Sequence, residues 1–316
     1  MKWQASAPTN IALIKYMGKI AGAGNVPTNA SLSYTLDHLK SFVELEFNEH
    51  LVKDCWEPLQ QPEANFIPEL NQTAQERFIK HLAFIKKHFN FNGYFVIRSA
   101  NNFPAGCGLA SSASSFAALT LCAVQALTEL TSSNPLNVTE IADLSRQGSG
   151  SSCRSFFSPW ALWEKDSVHA INFPYQQLLH MVVVVSKEHK AIGSSEAHRR
   201  VATSSLFPGR VERAQQRLQA LMQNFKEQNW QAAYQVVWQE FWDMHALFET
   251  AAEPFNYLQP GSMAVLDYIQ NYWENVKDGP LVTLDAGPNV HLLFRVDQKK
   301  IMEEINRVLA KDFLIL

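Results

Sequence analysis

The sequence predicts an α+β fold in two subdomains, and three observations carry that reading. Segments of strand and helix character alternate along the chain. Leu179 to Ser186 is a run rich in β-branched residues and reads as a buried strand. Beyond it the character changes to long helices, which places a subdomain boundary near residue 180 and divides the chain into 1–180 and 181–316. With 316 residues, 47% of them hydrophobic and 18% charged, the chain can build one large core or two moderate ones.

In chain order, Ser41 to Phe47 alternates apolar and polar residues as a strand does. Thr73 to Phe89 places Phe78, Ile79, Leu82, Ile85 and Phe89 at helical spacing. Tyr94 to Ile97 is a short strand that leads into a glycine- and serine-rich loop, and an apolar helix runs from Ser112 to about Leu130. Asn134-Pro135 is a break, and a helix over Val138 to Arg146 ends at Gly148. Phe156 to Trp163 reads as an aromatic strand. The second part offers helices over Val211–Gln228, Trp230–Phe248 and Ser262–Asn275. Strands over Pro280–Asp285 and Val290–Val296 follow, then a last helix over Lys299–Lys311. Trp230, Tyr234, Trp238, Phe241 and Trp242 are predicted to be core or dimer contacts, and His245 a structural histidine.

A net charge of −3 and a pI near 6.4 give no sign of a nucleic-acid or membrane surface, so any phosphate site must be a local cluster of cations. The opening residues Met1 to Pro8 lack the apolar core of a signal peptide, and no run of about 18 apolar residues is present. Cys55, Cys107, Cys122 and Cys153 show no CxxC spacing, which predicts reduced thiols and a cytoplasmic protein. The ten histidines include no HExxH or HxxxH pair, so a zinc site is not expected.

Four segments carry chemistry. Pro104-Ala-Gly-Cys-Gly-Leu-Ala-Ser-Ser-Ala113 runs straight into a helix, where backbone N–H groups and the helix dipole favour an anion. Gly106 and Gly108 let the backbone turn and approach a ligand, and the serines add hydroxyls. An ordinary capped helix after a turn would read similarly, and the loop matches neither GxxxxGK(S/T) nor GxGxxG. In Ala7 to Lys19, Lys15 and Lys19 flank Tyr16 within an apolar stretch, and a lysine there needs a partner unless it snorkels to solvent. Arg146-Gln-Gly-Ser-Gly-Ser-Ser-Cys-Arg-Ser155 supplies hydroxyls and a guanidinium that can grip a phosphate or carboxylate bidentately, although such runs also serve as linkers. Leu284-Asp-Ala-Gly-Pro-Asn-Val290 puts a carboxylate at a strand end, in a turn that structural reasons alone could explain.

Together with Asn25-Val-Pro-Thr-Asn-Ala-Ser31, Asn101-Asn-Phe-Pro104 and Val201-Ala-Thr-Ser204, these segments resemble the diphosphomevalonate decarboxylases of the GHMP kinase superfamily, in family order along essentially the whole chain. The Pro104 loop marks only the wider group, whereas Gly148-Ser-Gly-Ser-Ser-Cys-Arg154 and Asp285-Ala-Gly-Pro-Asn289 are much more specific.

The resemblance implies a GHMP-kinase-like fold with an active-site cleft between its two subdomains. It also implies an ATP-dependent carboxy-lyase of the mevalonate pathway, which converts mevalonate 5-diphosphate to isopentenyl diphosphate, ADP, phosphate and CO2. A relative acting on mevalonate 5-phosphate, as a decarboxylase or a 3-kinase, is the alternative. By family position Asp285 is the base or orienting group, Lys15 bridges Asp285 and the transferring phosphate, and Arg154 holds the substrate carboxylate. Tyr16, Lys19, Ser149 and Ser151 would hold the diphosphate. Pro104, Gly106, Gly108, Leu109, Ala110, Ser111 and Ser112 would cradle ATP. Mg2+ is implied without evident ligands, as is a homodimer.

Two departures stand out. Tyr16-Met-Gly-Lys19 replaces the family's Tyr-Trp-Gly-Lys, and Ile192-Gly-Ser-Ser-Glu-Ala-His198 stands where it has Ser-Ser-x-x-Gly-Met, with Ser194 as a displaced substrate contact.

Overall fold

The computed structural model describes the chain from Met1 to Leu316 apart from residues 21, 23, 65, 67–69, 105–107 and 189. The strands are β1 (Lys2–Ile14), β2 (Ser31–Phe47), β3 (Cys55–Pro58), β4 (Phe95–Asn101), β5 (Trp160–Glu164), β6 (Ser167–Ala170), β7 (Leu178–Val184), β8 (Leu281–Thr283), β9 (Val290–Arg295) and β10 (Leu314–Ile315). The helices are α1 (Gln72–His88), α2 (Ser111–Thr131), α3 (Val138–Gly148), α4 (Ser194–Arg200), α5 (Arg210–Lys226), α6 (Trp230–Glu249), α7 (Pro260–Val276) and α8 (Lys299–Leu309). The α+β class holds.

Among the described residues, the N-terminal half builds a six-stranded sheet on the 17-residue β2. β1 runs antiparallel along one edge of β2. On the other edge, β4 pairs with residues 41–47 and β5 with residues 31–34. The first part of β2 is buried on both faces, so it shows none of the alternation that reveals the second part. The smaller sheet has the order β10-β7-β9-β8 and is antiparallel throughout.

One apolar cluster joins the halves: Ile11, Leu13 and Leu32 from the large sheet meet Val182, Leu292 and Phe294 from the small one, with Leu218, Phe225, Val237 and Phe241 of α5 and α6. A second cluster holds α1 and α2 against Val43, Leu45, Phe95 and Ile97. The apolar α2 is long enough to cross a bilayer, with mean hydropathy 1.3, but two thirds of it is buried (67%) and it packs on β1 and β2 as a core helix.

The predicted strand over Phe156 to Trp163 is corrected: residues Gly150–Phe156 form 3-10 turns and β5 begins only at Trp160. The serine hydroxyls explain the tight turns, because Ser152 Oγ donates to the Ser149 carbonyl at 2.6 Å and so competes with an extended backbone.

Candidate active site

Where β1 ends, the chain turns past a cavity of about 510 Å³ that lies between the halves. Its lining includes Lys15, Tyr16, Lys19, Ser149, Ser151, Arg154 and Asp285, together with Gly108, Ala110, Ser111 and Ser112 at the start of α2. The beginning, middle and end of the sequence therefore converge on one space.

Lys15 is only 1% exposed, and its Nζ lies 2.7 Å from Asp285 Oδ1. The ion pair is the compensation that such burial requires. Burial pulls the Lys15 pKa down, while Asp285 and then Glu240 work against it. For Asp285, burial works upward, but the Lys15 ammonium overrides it and the carboxyl stays below its ordinary value, as a carboxylate.

The backbone of Lys15 is clamped as well. Its N–H donates to Glu240 Oε1 at 3.0 Å, and its carbonyl accepts from Arg210 Nη2 at 3.1 Å and Asn29 Nδ2 at 2.9 Å. Arg210 and Glu240 form an ion pair with each other, both side chains 0% exposed. Asp243 accepts from Arg210 Nη1 at 2.7 Å. This network lies on α5 and α6, far from Lys15 in sequence, and no motif announced it.

Arg154 comes from the tight turns after α3. Its Nε donates to Asn10 Oδ1 at 3.1 Å, and one Nη donates to Ser31 Oγ at 3.0 Å. The guanidinium also lies 5.7 Å from the Trp163 ring centroid. These contacts fix the fork before any ligand arrives. Ser149 Oγ lies 3.4 Å from both Ser112 Oγ and Ser151 Oγ, so the hydroxyls of two predicted motifs adjoin. Gly150 packs against Tyr16, where a β-carbon would stand 2.7 Å from the phenol oxygen. Lys19 sits further out, its Nζ donating to Asn25 Oδ1 at 2.7 Å.

At the phosphate loop, Ala110 caps α2 in the left-handed region (φ 52°) and, as an alanine, brings no side-chain cap of its own. That terminus faces the cavity, as an anion site requires. Gly108 has φ +90°, and a β-carbon on it would come within 2.8 Å of Gly287 Cα, so the loop and the Asp285 turn touch. Pro104 and Leu109 are buried and do not line the cavity, whereas Gly106 lies outside the described residues. Ser194 lines the cavity at an exposed rim and accepts from Lys190 Nζ at 2.9 Å.

Arg77, Asn71, Asn101, Lys190 and His198 also line the cavity, and sequence reasoning missed them as site residues. Arg77 sits on α1, whose sequence signal was its apolar spacing. A polar residue on the other face gave no sign of where it would point. His245 is buried and bonded to the Asp285 backbone, beneath the acid.

Among the described residues, no group of three or more His, Cys, Asp or Glu is placed to hold a metal, and Asp285 is the only carboxylate in the cavity lining. Such a site suits a hard cation that arrives with phosphates as most of its ligands, the usual habit of magnesium.

Comparison with known proteins agrees with this arrangement. Residues 7–172 match the diphosphomevalonate decarboxylase-like N-terminal domain, and residues 180–314 match the mevalonate 5-diphosphate decarboxylase C-terminal domain. The diphosphomevalonate decarboxylase of Schizosaccharomyces pombe is 30% identical, over 94% of this chain and 79% of its own length. A solved mevalonate diphosphate decarboxylase from Legionella pneumophila superposes with a TM-score of 0.94 at 50% identity, each chain covered in full (100%). A solved complex described as MDDEF with MVAPP, AMPPCP and magnesium superposes at 0.83 with 27% identity, over 99% of this chain and 94% of that one. By matches that span both halves, with the paired lysine and acid between them, the chain belongs to the diphosphomevalonate decarboxylase family.

Proposed function

We infer that this protein catalyses the ATP-dependent decarboxylation of mevalonate 5-diphosphate to isopentenyl diphosphate, with ADP, phosphate and CO2 as the other products. The observation that carries the reading is the Lys15–Asp285 ion pair at 2.7 Å, in one cavity with Arg154 and the open start of α2. Family membership and the relative solved with MVAPP, AMPPCP and magnesium support it.

The substrate's tertiary 3-hydroxyl lies at Asp285. Attack of that oxygen on the γ-phosphorus of ATP forms one P–O bond and breaks the bond to ADP. A carboxylate with a lowered pKa is a weak base, so Asp285 orients the hydroxyl and takes its proton only as the new bond makes it acidic. Lys15 neutralises charge between the acid and the moving phosphoryl group. Phosphate then leaves C3 and the C1–C2 bond breaks, its electron pair forming the C2–C3 double bond as CO2 departs. Arg154 holds the carboxylate so that the breaking bond is aligned with the leaving phosphate. Tyr16, Lys19, Ser149 and Ser151 hold the diphosphate tail, and Ser194 contacts the substrate from the rim. Gly108, Ala110, Ser111 and Ser112 receive the nucleotide phosphates. Bound Mg2+ supplies charge neutralisation on those phosphates.

The same reading divides the chain into 1–180 and 181–316, which the two family matches support. It includes a cytoplasmic location, supported by the free thiols of Cys55, Cys122 and Cys153, and a homodimer carried over from the resemblance.

The test is CO2 and isoprenoid release from ATP with purified mevalonate 5-diphosphate or 5-phosphate, by wild type and Asp285→Asn. Turnover of the diphosphate, with a loss of about 10³-fold or more in the variant while ATP still binds, is expected. Turnover of the monophosphate alone would overturn the substrate assignment.

A further inference from the structure

We propose that His198 belongs to the substrate pocket, where it donates its Nε2 hydrogen to the terminal phosphate of the diphosphate tail and so sharpens preference for a diphosphate over a monophosphate. The proposal rests on the reading of the site given above. His198 lies on α4 and lines the same cavity as Tyr16, Lys19, Ser149, Ser151 and Lys190. Its ring packs on Tyr16, with centroids 4.3 Å apart.

The tautomer follows from one contact. His198 Nδ1 accepts from the Gly18 backbone N–H at 3.0 Å. A ring nitrogen that accepts carries no hydrogen, so the hydrogen of the neutral ring is on Nε2. The ring is neutral because burial, and then Lys19, Lys190 and Arg154, hold its pKa down to about 3. With Nδ1 occupied, the Nε2 hydrogen is what His198 offers to the cavity. Three cations around the ring define a region suited to an anion, and a neutral N–H adds a directed donor there without further charge repulsion. The segment is also where this chain departs from the family pattern, Ile192 to His198 standing in place of Ser-Ser-x-x-Gly-Met. A methionine in place of the ring could donate nothing. Gly18, which fixes the tautomer, follows the other departure at Met17.

The experiment compares wild type, His198→Met and His198→Gln, since glutamine can accept from Gly18 and still donate. The constants measured are kcat and KM for mevalonate 5-diphosphate, mevalonate 5-phosphate and ATP. His198→Met is expected to raise KM for the diphosphate about tenfold, the loss of one hydrogen bond to a charged group, with the KM for ATP and kcat little changed. Its diphosphate-over-monophosphate preference should narrow, and His198→Gln should recover most of the loss. An unchanged KM in His198→Met, or equal impairment in the glutamine variant, overturns the proposal.

A parallel calorimetric titration uses inorganic diphosphate, with AMPPCP filling the nucleotide site, and folding of each variant is checked by thermal unfolding. If wild type turns over neither substrate, the functional reading falls while this titration still decides the role of His198. Equal binding of diphosphate by wild type and His198→Met would refute it.

Discussion

Lys15 and Lys19 are four residues apart and face the same cavity, yet the fold treats them in opposite ways. Lys15 is sealed at 1% exposure, with its ammonium on Asp285 and both backbone polar groups taken by the buried Arg210–Glu240 pair and Asn29. Lys19 is half-buried at the rim, its ammonium on one asparagine side chain. Burial lowers the pKa of both, but only Lys15 has an acid to set against it. The difference separates two tasks. A group that must meet a reacting atom needs placement to within a fraction of an ångström, whereas a group that holds a flexible anionic tail gains from remaining adjustable.

The comparison breaks most severely at Glu240. Glu240→Gln leaves Arg210 with less charge compensation in a dry site, and a stability loss of about 3 kcal/mol is expected. With the Lys15 backbone no longer clamped, kcat should fall about 10²-fold in the protein that folds, with the KM for ATP little moved. Denaturant unfolding and steady-state kinetics read the two effects. A fully stable, fully active variant would mean that the pair does not support Lys15.

Acid acts on the fold through its buried histidines, of which His245 and His291 lie by the sealed Lys15–Asp285 pair and His81 lies between α1 and α2. Burial holds His81, His245 and His291 neutral, with pKa values lowered to about 4, about 3 and about 4. Below an unfolded pKa near 6.5 the unfolded chain binds protons that these rings refuse. Their contribution to stability is therefore intact above that value and is lost as pH falls toward their folded pKa values. Each ring adds a slope of up to about 1.4 kcal/mol per pH unit. Melting temperature should drop steadily between pH 7 and pH 5, and a flat profile would show that the rings titrate normally in the fold.

The rim gives the smallest effect. Lys19→Ala should raise KM for the diphosphate substrate about tenfold while kcat and stability stay near wild type, because a half-exposed ion contact is modest and is lost without leaving a buried charge behind. A variant that loses kcat but keeps its KM would move Lys19 from the tail to the reacting centre.

How much of this was legible in the sequence follows the same division. Lys15, Arg154 and Asp285 could be picked out because each sits in a short local signature, and the fold brings them to one cavity. The helices were legible because α1, α5, α6 and α7 each carry a long periodic face. The first part of β2 was not, because strands on both edges and packing on both faces erase the alternation. Glu240 and Arg210 were invisible for another reason. Each reads as an ordinary charged residue of a surface helix, and only the packing of α5 and α6 under β1 turns them inward. His198 showed itself only as a mismatch to a pattern, with no hint of which ring nitrogen would be used.

The contact between Gly108 and Gly287 has a consequence for how the enzyme can change over time. The two loops meet main chain against main chain with no side chain between them to absorb a shift, so the nucleotide cradle and the acid's turn share a single wall. Neither loop can be reshaped for a new ligand without re-aiming the other. Freedom to change therefore lies at the outer rim of the cavity, around Lys19 and Asn25, rather than along the wall the two loops share.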